Sequence, residues 1–128
     1  MKSKTMQRVG AALLPFAAAA TLTTVAPASA SAGSYCYPTT PQPQLMGGWA
    51  VSSWIEFYNC NGKRTTAEIY RWVDGTPVQA ARTSNTANSN YYYYATNGSA
   101  SYGCWTYYTK ITVTDVGIWR SPGKTLCR

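Results

Sequence analysis

Four cysteines, Cys36, Cys60, Cys104 and Cys127, constrain this chain of 128 residues more than any other feature. They are even in number and contain no C-x-x-C pair, and the chain has no histidine. Structural zinc sites draw on closely spaced Cys and His ligands, so no metal and no other cofactor is expected. Two disulfides are expected, because a domain this small buries too little surface to rely on its core alone. Four cysteines allow three pairings. The sequential one, Cys36–Cys60 with Cys104–Cys127, is favoured because it pins an N-terminal arm at one end and the last strand at the other. The nested pairing, Cys60–Cys104 with Cys36–Cys127, stays open. Each sequential bridge would stabilise the fold by about 3 kcal/mol in the chain-entropy description.

Disulfides imply an oxidising compartment, and the N-terminus carries the matching signal. Lys2, Lys4 and Arg8 make a positive start, Val9 to Val25 is apolar or small apart from Pro15 and a few threonines, and residues 27–32 are small. That order is the mark of a secretory signal peptide. Ala28-Ser29-Ala30 places cleavage before Ser31; Ala30-Ser31-Ala32 would place it before Gly33. A membrane anchor is the competing reading, but the run falls short of the roughly 20 apolar residues a bilayer requires. No later stretch is apolar enough to span. The expected organisation is a signal peptide over 1–30, a Pro-rich arm over 31–48 tied by Cys36, and a β domain over 49–128, in a secreted, extracellular protein.

Cleavage changes the charge argument. The full chain carries +7, whereas residues 31–128 hold eight basic and four acidic residues, a balance of +4. The bases are scattered, and only Lys63 and Arg64 adjoin. Nucleic-acid binders gather their cations in a stripe, so no nucleic-acid partner is expected. The charge reads as solubility, with weak attraction to anionic walls or membranes.

From Trp49 onward, β-branched and aromatic runs alternate with turn signals, the pattern of successive short strands. The runs are Trp49 to Cys60, Thr65 to Val73, Val78 to Thr83, Tyr91 to Thr96, Ser101 to Thr114, Ile118 to Arg120 and Thr125 to Cys127. Asn61-Gly62, Asp74-Gly75 and Asn97-Gly98 read as turns, and Ser84 to Asn90 as a polar loop. Trp105, Tyr107, Thr109, Ile111 and Val113 fall on one face. No helical period follows the signal. The expected fold is all-β, a small antiparallel β-sandwich of immunoglobulin-like or Greek-key type, with six to seven short strands and two disulfides. Asn61-Gly62 joins the first two runs as a hairpin, and burial demands that Ile55 face Ile69, Phe57 face Ala67 and Val51 face Val73. That register requires a longer loop or a bulge near Asn61–Lys63.

Catalysis is poorly supplied. Without histidine no Ser-His or Cys-His nucleophile pair can form, and the chain is expected not to be an enzyme. The carboxylates are Glu56, Glu68, Asp74 and Asp115. In the hairpin register Glu56 and Glu68 would oppose each other among aromatic rings, as a retaining glycosidase requires. The plainer reading is two glutamates on a solvated sheet face.

Binding is better supplied. Five Trp, eleven Tyr and Phe57 lie beyond the signal. Trp54, Tyr58, Tyr70 and Trp72 would share the outer face of the first hairpin. Tyr91, Tyr93 and Trp105 lie in a stretch of Ser, Asn, Gly and Tyr that has the composition of a paratope, where tyrosine offers amphipathic contact area at low entropy cost. Tyrosine is also a strong strand former, and a core with few Leu and Val must be filled by other residues. In plan the chain is similar to the small secreted amylase inhibitors, which are short β-sandwiches with two disulfides. Their Trp-Arg-Tyr triplet stands here reversed, as Tyr70-Arg71-Trp72 within a strand. The likeness is architectural, and no functional residue is carried over. The expected function is a non-catalytic secreted binding protein with Trp54, Tyr58, Tyr70, Trp72, Tyr91, Tyr93 and Trp105 as contact residues. Its partner would be an extracellular glycan or protein. An inhibitor of an extracellular hydrolase, or an antimicrobial or toxin-like protein, is the alternative.

Overall fold

All seven runs become strands, and the arm contributes two more. The structure, a computed structural model, describes residues 35–128, so the signal-peptide assignment lies outside the described residues. The strands are β1 (Tyr37–Pro38), β2 (Gln44–Met46), β3 (Ala50–Tyr58), β4 (Arg64–Val73), β5 (Thr76–Thr86), β6 (Tyr91–Ser99), β7 (Cys104–Val113), β8 (Gly117–Arg120) and β9 (Lys124–Cys127). Among the described residues there is no helix, and so none long and apolar enough to cross a membrane.

The strands form two antiparallel sheets. In the first, β6 pairs one edge of β3, while β1 and β2 share the other edge. In the second, β5, β4 and β7 lie side by side, and β8 and β9 share the free edge of β7. The break between β8 and β9 is closed by Ser121, whose N–H donates to the Thr109 carbonyl and whose Oγ accepts from the Thr109 N–H at 2.9 Å. The fold is thus an all-β, sandwich-like structure, and the disulfides are Cys36–Cys60 and Cys104–Cys127, the favoured pairing.

Four expectations are corrected. β3 and β4 do not form a hairpin: they belong to different sheets, and Asn59–Lys63 carries the chain across, with Asn59 and Gly62 at φ of 59° and 82°. A hairpin would have set both apolar faces on one side of a single sheet, still needing a cover. The crossing instead sets Ile55 and Phe57 of β3 against Ala67 of β4 in one core cluster. The anticipated bulge lies elsewhere, between β4 and β5: Ile69 faces Ala81 and Tyr70 faces Gln79, leaving Ala80 unmatched.

The Ser84–Asn90 loop is shorter than expected, because Ser84, Asn85 and Thr86 extend β5 opposite Thr66, Thr65 and Arg64. An outer strand accepts polar residues when their hydroxyls find partners, and Ser84 Oγ bonds the Thr65 carbonyl at 3.1 Å. Asn97-Gly98 is not a turn but lies inside β6, opposite Ser52 and Val51. Gly98 is there because the Ala80 carbonyl of β5 occupies the space where its Cβ would be. Asp74-Gly75 does form the expected tight turn: both residues have positive φ, 50° and 78°, and Val73 pairs with Thr76, as a type I′ hairpin requires.

The interior between the sheets is lean in aliphatics and filled by rings and small hydroxyls. Phe57, Tyr92, Tyr94 and Trp119 pack with Ile55, Ile111 and Val113, while Tyr107, Trp105 and Leu126 pack with Val51 and Ile69. Buried hydroxyls pair across it: Ser53 with Thr109 at 2.6 Å, Thr83 with Thr96 at 2.9 Å, and Thr65 with Tyr94 at 2.9 Å. An unpaired buried hydroxyl would be costly, so these pairs also fix how the sheets face each other.

Candidate functional site

Because side chains alternate along a strand, each sheet presents one face to the core and one outward. The alternation sorts the predicted contact residues into three places. Trp54 and Tyr58 of β3 join Tyr91 and Tyr93 of β6 on the outer face of the first sheet. Tyr70 and Trp72 of β4 lie on the outer face of the second. Trp105 of β7 faces inward beside Tyr107, with its Nε1–H bonded to the Tyr102 carbonyl at 2.8 Å and the Arg71 guanidinium 4.4 Å from its ring. The four-ring face anticipated from the hairpin register is therefore split, as is the Glu56–Glu68 pair. Each glutamate lies on its own outer face, so the paired-carboxylate geometry of a glycosidase is not formed.

On the first sheet the rings make an unbroken row. Tyr37 stacks on Tyr58 with centroids 5.2 Å apart, Tyr58 lies 5.4 Å from Tyr91, Tyr91 5.5 Å from Tyr93, and Tyr93 5.0 Å from Trp54. The row comes from register: Tyr58 is opposite both Tyr37 and Tyr91, and Trp54 lies diagonally across from Tyr93. Trp54 is 52% exposed and Tyr93 50%, so the row is a surface and not a displaced part of the core. The Glu56 carboxylate sits among these rings and accepts hydrogen bonds from the hydroxyls of Tyr91 at 2.9 Å and Tyr58 at 3.3 Å. It is a clamp on the row.

At the Trp54 end the row opens into a groove of about 450 Å³ between the arm and the sheet. Gln42, Gln44, Ser52 and Asn97 line it with amides and a hydroxyl, beside Met46 and the Trp54 ring, and among the described residues no charged side chain lines it. Tyr37 and the two glutamines belong to the arm, which the sequence reading left out of the site. A signal for Tyr37 was present: Cys36 bridges to Cys60, two residues beyond Tyr58, so the pairing brings the two tyrosines together.

The second sheet carries a smaller aromatic group. Tyr70 stacks on Tyr108 at 5.5 Å and Trp72 lies 5.5 Å from the same ring. The Tyr70 hydroxyl donates to Glu68 at 2.8 Å. Among the described residues no cluster of His, Cys, Asp or Glu could hold a metal ion. Comparison with protein-family models, with curated proteins and with solved structures finds no match to this chain.

The tyrosines respond to their surroundings as acids. Burial, then the Glu68 hydrogen bond and charge, push Tyr70 up from the ordinary 10.0 to about 12. The Glu56 hydrogen bond, then burial, raises Tyr91, and burial followed by the Glu56 charge raises Tyr58. A raised tyrosine pKa means that folding favours the neutral phenol. Its contribution is fully present below the unfolded value and is lost as pH climbs through the folded one. Thermal melts are therefore expected to fall in temperature from pH near 10.0 toward about 12, the window set by Tyr70. Tyrosinate absorbance should show Glu68→Gln moving one late-titrating tyrosine back toward the ordinary value; an unchanged titration would contradict the assignment.

Proposed function

We propose that this chain is a secreted, non-catalytic module that binds a neutral glycan through the outer face of its first sheet. The observation that carries the reading is the exposed row Tyr37–Tyr58–Tyr91–Tyr93–Trp54 running into a neutral groove at Trp54. An exposed, contiguous apolar surface marks an interaction site. Rings with amides and hydroxyls at one end provide what a sugar chain needs: a ring face for its apolar side and neutral donors and acceptors for its hydroxyls. The Glu56 carboxylate is hydrogen-bonded by two phenols and has no cation paired with it among the described residues, so the face disfavours an anionic partner. Secretion rests on the N-terminal sequence pattern, and the two disulfides are compatible with an extracellular setting. The absence of histidine and the separation of Glu56 from Glu68 support a binding role over a catalytic one.

The test is retention of the purified chain on insoluble chitin, cellulose and peptidoglycan. At least one should hold it, and Trp54→Ala should weaken that retention about tenfold, equivalent to about 1.4 kcal/mol, with the far-ultraviolet spectrum unchanged. Retention on none of the three, or retention indifferent to Trp54→Ala, overturns the reading.

A further inference from the structure

The outer face of the second sheet is built on charge. Its register sets Glu68 opposite Arg82 on β5 and Lys110 on β7, and Lys110 opposite Arg120 on β8. One cross-strand row thus carries three cations and one carboxylate. Glu68 is already engaged, by the Tyr70 hydroxyl at 2.8 Å and by Arg82 at 3.8 Å. Among the described residues that is the one ion pair, so no carboxylate pairs with Lys110 or Arg120. The Lys110 ammonium stands 5.8 Å from the Tyr70 ring centroid.

Beside this row lies a groove of about 260 Å³ lined by Trp72, Tyr108, Arg120, Ser121 and Gly123. Its walls are well held. Tyr108 is stacked by Tyr70 and flanked by Trp72, and Ser121 is locked by its bonds to Thr109 and to the Pro122 carbonyl. Trp72 is 42% exposed, leaving ring surface open to a ligand. Among the described residues, Arg120 is the one charged group lining the groove. A guanidinium presents a planar fork that fits a carboxylate with two parallel hydrogen bonds. A groove smaller than the roughly 300–1,000 Å³ of drug-sized sites suits one unit of a longer chain.

We infer that this groove is a second binding site, for a carboxylate-bearing sugar chain. Arg120 takes the carboxylate, Trp72 stacks on the sugar ring, and Lys110 attracts the next acidic unit along the cation row. Four features converge on this occupant: more cations than carboxylates along the row, a fork-shaped donor, an aromatic wall, and a row that follows a strand-to-strand line. A linear polyanion can lie along such a row, whereas a lipid surface would call for cations spread over a plane. The site is independent of the neutral face, which lies on the other side of the core.

The experiment is a calorimetric titration of the whole exported chain with a short oligogalacturonate, with a neutral cello-oligosaccharide of equal length as comparison. The acidic oligomer is expected to bind, and its affinity to fall several-fold as salt is raised, since exposed charges are screened. Arg120→Gln should weaken it at least tenfold and Trp72→Ala several-fold, both with unaltered circular dichroism. Trp54→Ala should leave it unchanged, which separates this site from the neutral one. Absence of binding, equal binding of the neutral oligomer, or indifference to Arg120→Gln would each overturn the inference. So would phosphatidylglycerol vesicles that bind the chain and displace the oligomer with the same dependence on Arg120, since the face would then be a membrane-contact surface.

Discussion

Gly98→Ala is expected to destabilise the fold by about 3 kcal/mol, the upper end of the usual range for overpacking. For a domain of this size that corresponds to a loss of roughly 15 °C in melting temperature. The reason is not backbone conformation, for Gly98 is an ordinary strand residue paired with Val51. It is space. A Cβ at Gly98 would collide with the Ala80 carbonyl, and it would also meet the Ala80 carbonyl carbon and the Ala81 Cβ at 3.0 Å. Ala80 is the unmatched residue of the β4–β5 bulge, so the collision is with backbone that the bulge has directed toward β6. β5 and β6 meet closely along this seam, and neither strand can withdraw without disturbing the Thr83–Thr96 hydroxyl pair beside it. Gly123→Ala is the control. Its added Cβ would meet the Thr106 Cγ2 at 2.8 Å, a side chain that can rotate at the cost of its hydroxyl bond to Thr125 at 3.1 Å, so a loss of about 1 kcal/mol is expected, partly offset by the lower entropy of the unfolded chain. Equal melting temperatures for wild type and Gly98→Ala would contradict this account of the seam.

Removing the Cys36–Cys60 bridge by a double change to alanine should cost about 4 kcal/mol, against about 3 for Cys104–Cys127. The sequence separations, 24 and 23, are nearly the same, so loop closure alone predicts equal losses. Burial separates them. Cys36 and Cys60 belong to the core cluster with Ile55, Phe57 and Ala67, Cys60 being wholly buried. Cys104 and Cys127 are exposed and directly opposite each other on paired strands, which still hold through their backbone bonds once the bridge is gone. Losing the first bridge also removes the covalent anchor beside Tyr37 and leaves the arm to its backbone pairing with β3, so the Tyr37–Tyr58 stack should loosen. Chemical denaturation of the two double variants measures the difference. A graded thiol titration should open Cys104–Cys127 first, because exchange requires access to the sulfurs. The reverse order in either experiment would count against the burial argument.

The strands were legible in the sequence because their alternation and turn residues are local. Asp74-Gly75 marks its hairpin without reference to anything distant. The inward set Trp105, Tyr107, Thr109, Ile111 and Val113 followed from period two alone, and the need to pin the arm and the last strand favoured the sequential disulfide pairing while leaving the nested one open. What was not legible is which strand neighbours which. The pattern of β3 and β4 states that Ile55, Phe57, Ala67 and Ile69 are buried. It does not state whether they meet side by side in one sheet or face to face across two. Ser84-Asn85-Thr86 reads as a loop on composition, yet it forms a strand because β4 offers an edge and hydroxyl partners. Asn97-Gly98 reads as a turn, yet its glycine answers a carbonyl from another strand.

The candidate site divides along the same line. That Trp54, Glu56 and Tyr58 share one face, and Glu68, Tyr70 and Trp72 another, is a property of alternation, and the sequence determined it. The cysteine number and spacing likewise determined that the chain would be braced at both ends. Only the tertiary structure decided that these two faces point away from each other, because β3 and β4 enter different sheets. That choice dissolved the paired glutamates, brought Tyr37, Tyr91 and Tyr93 to Trp54, and brought Arg120 to Trp72. Side-chain direction within a strand is set by local stereochemistry. The company a face keeps is set by which distant strands bury its reverse side, and that is a property of the whole fold.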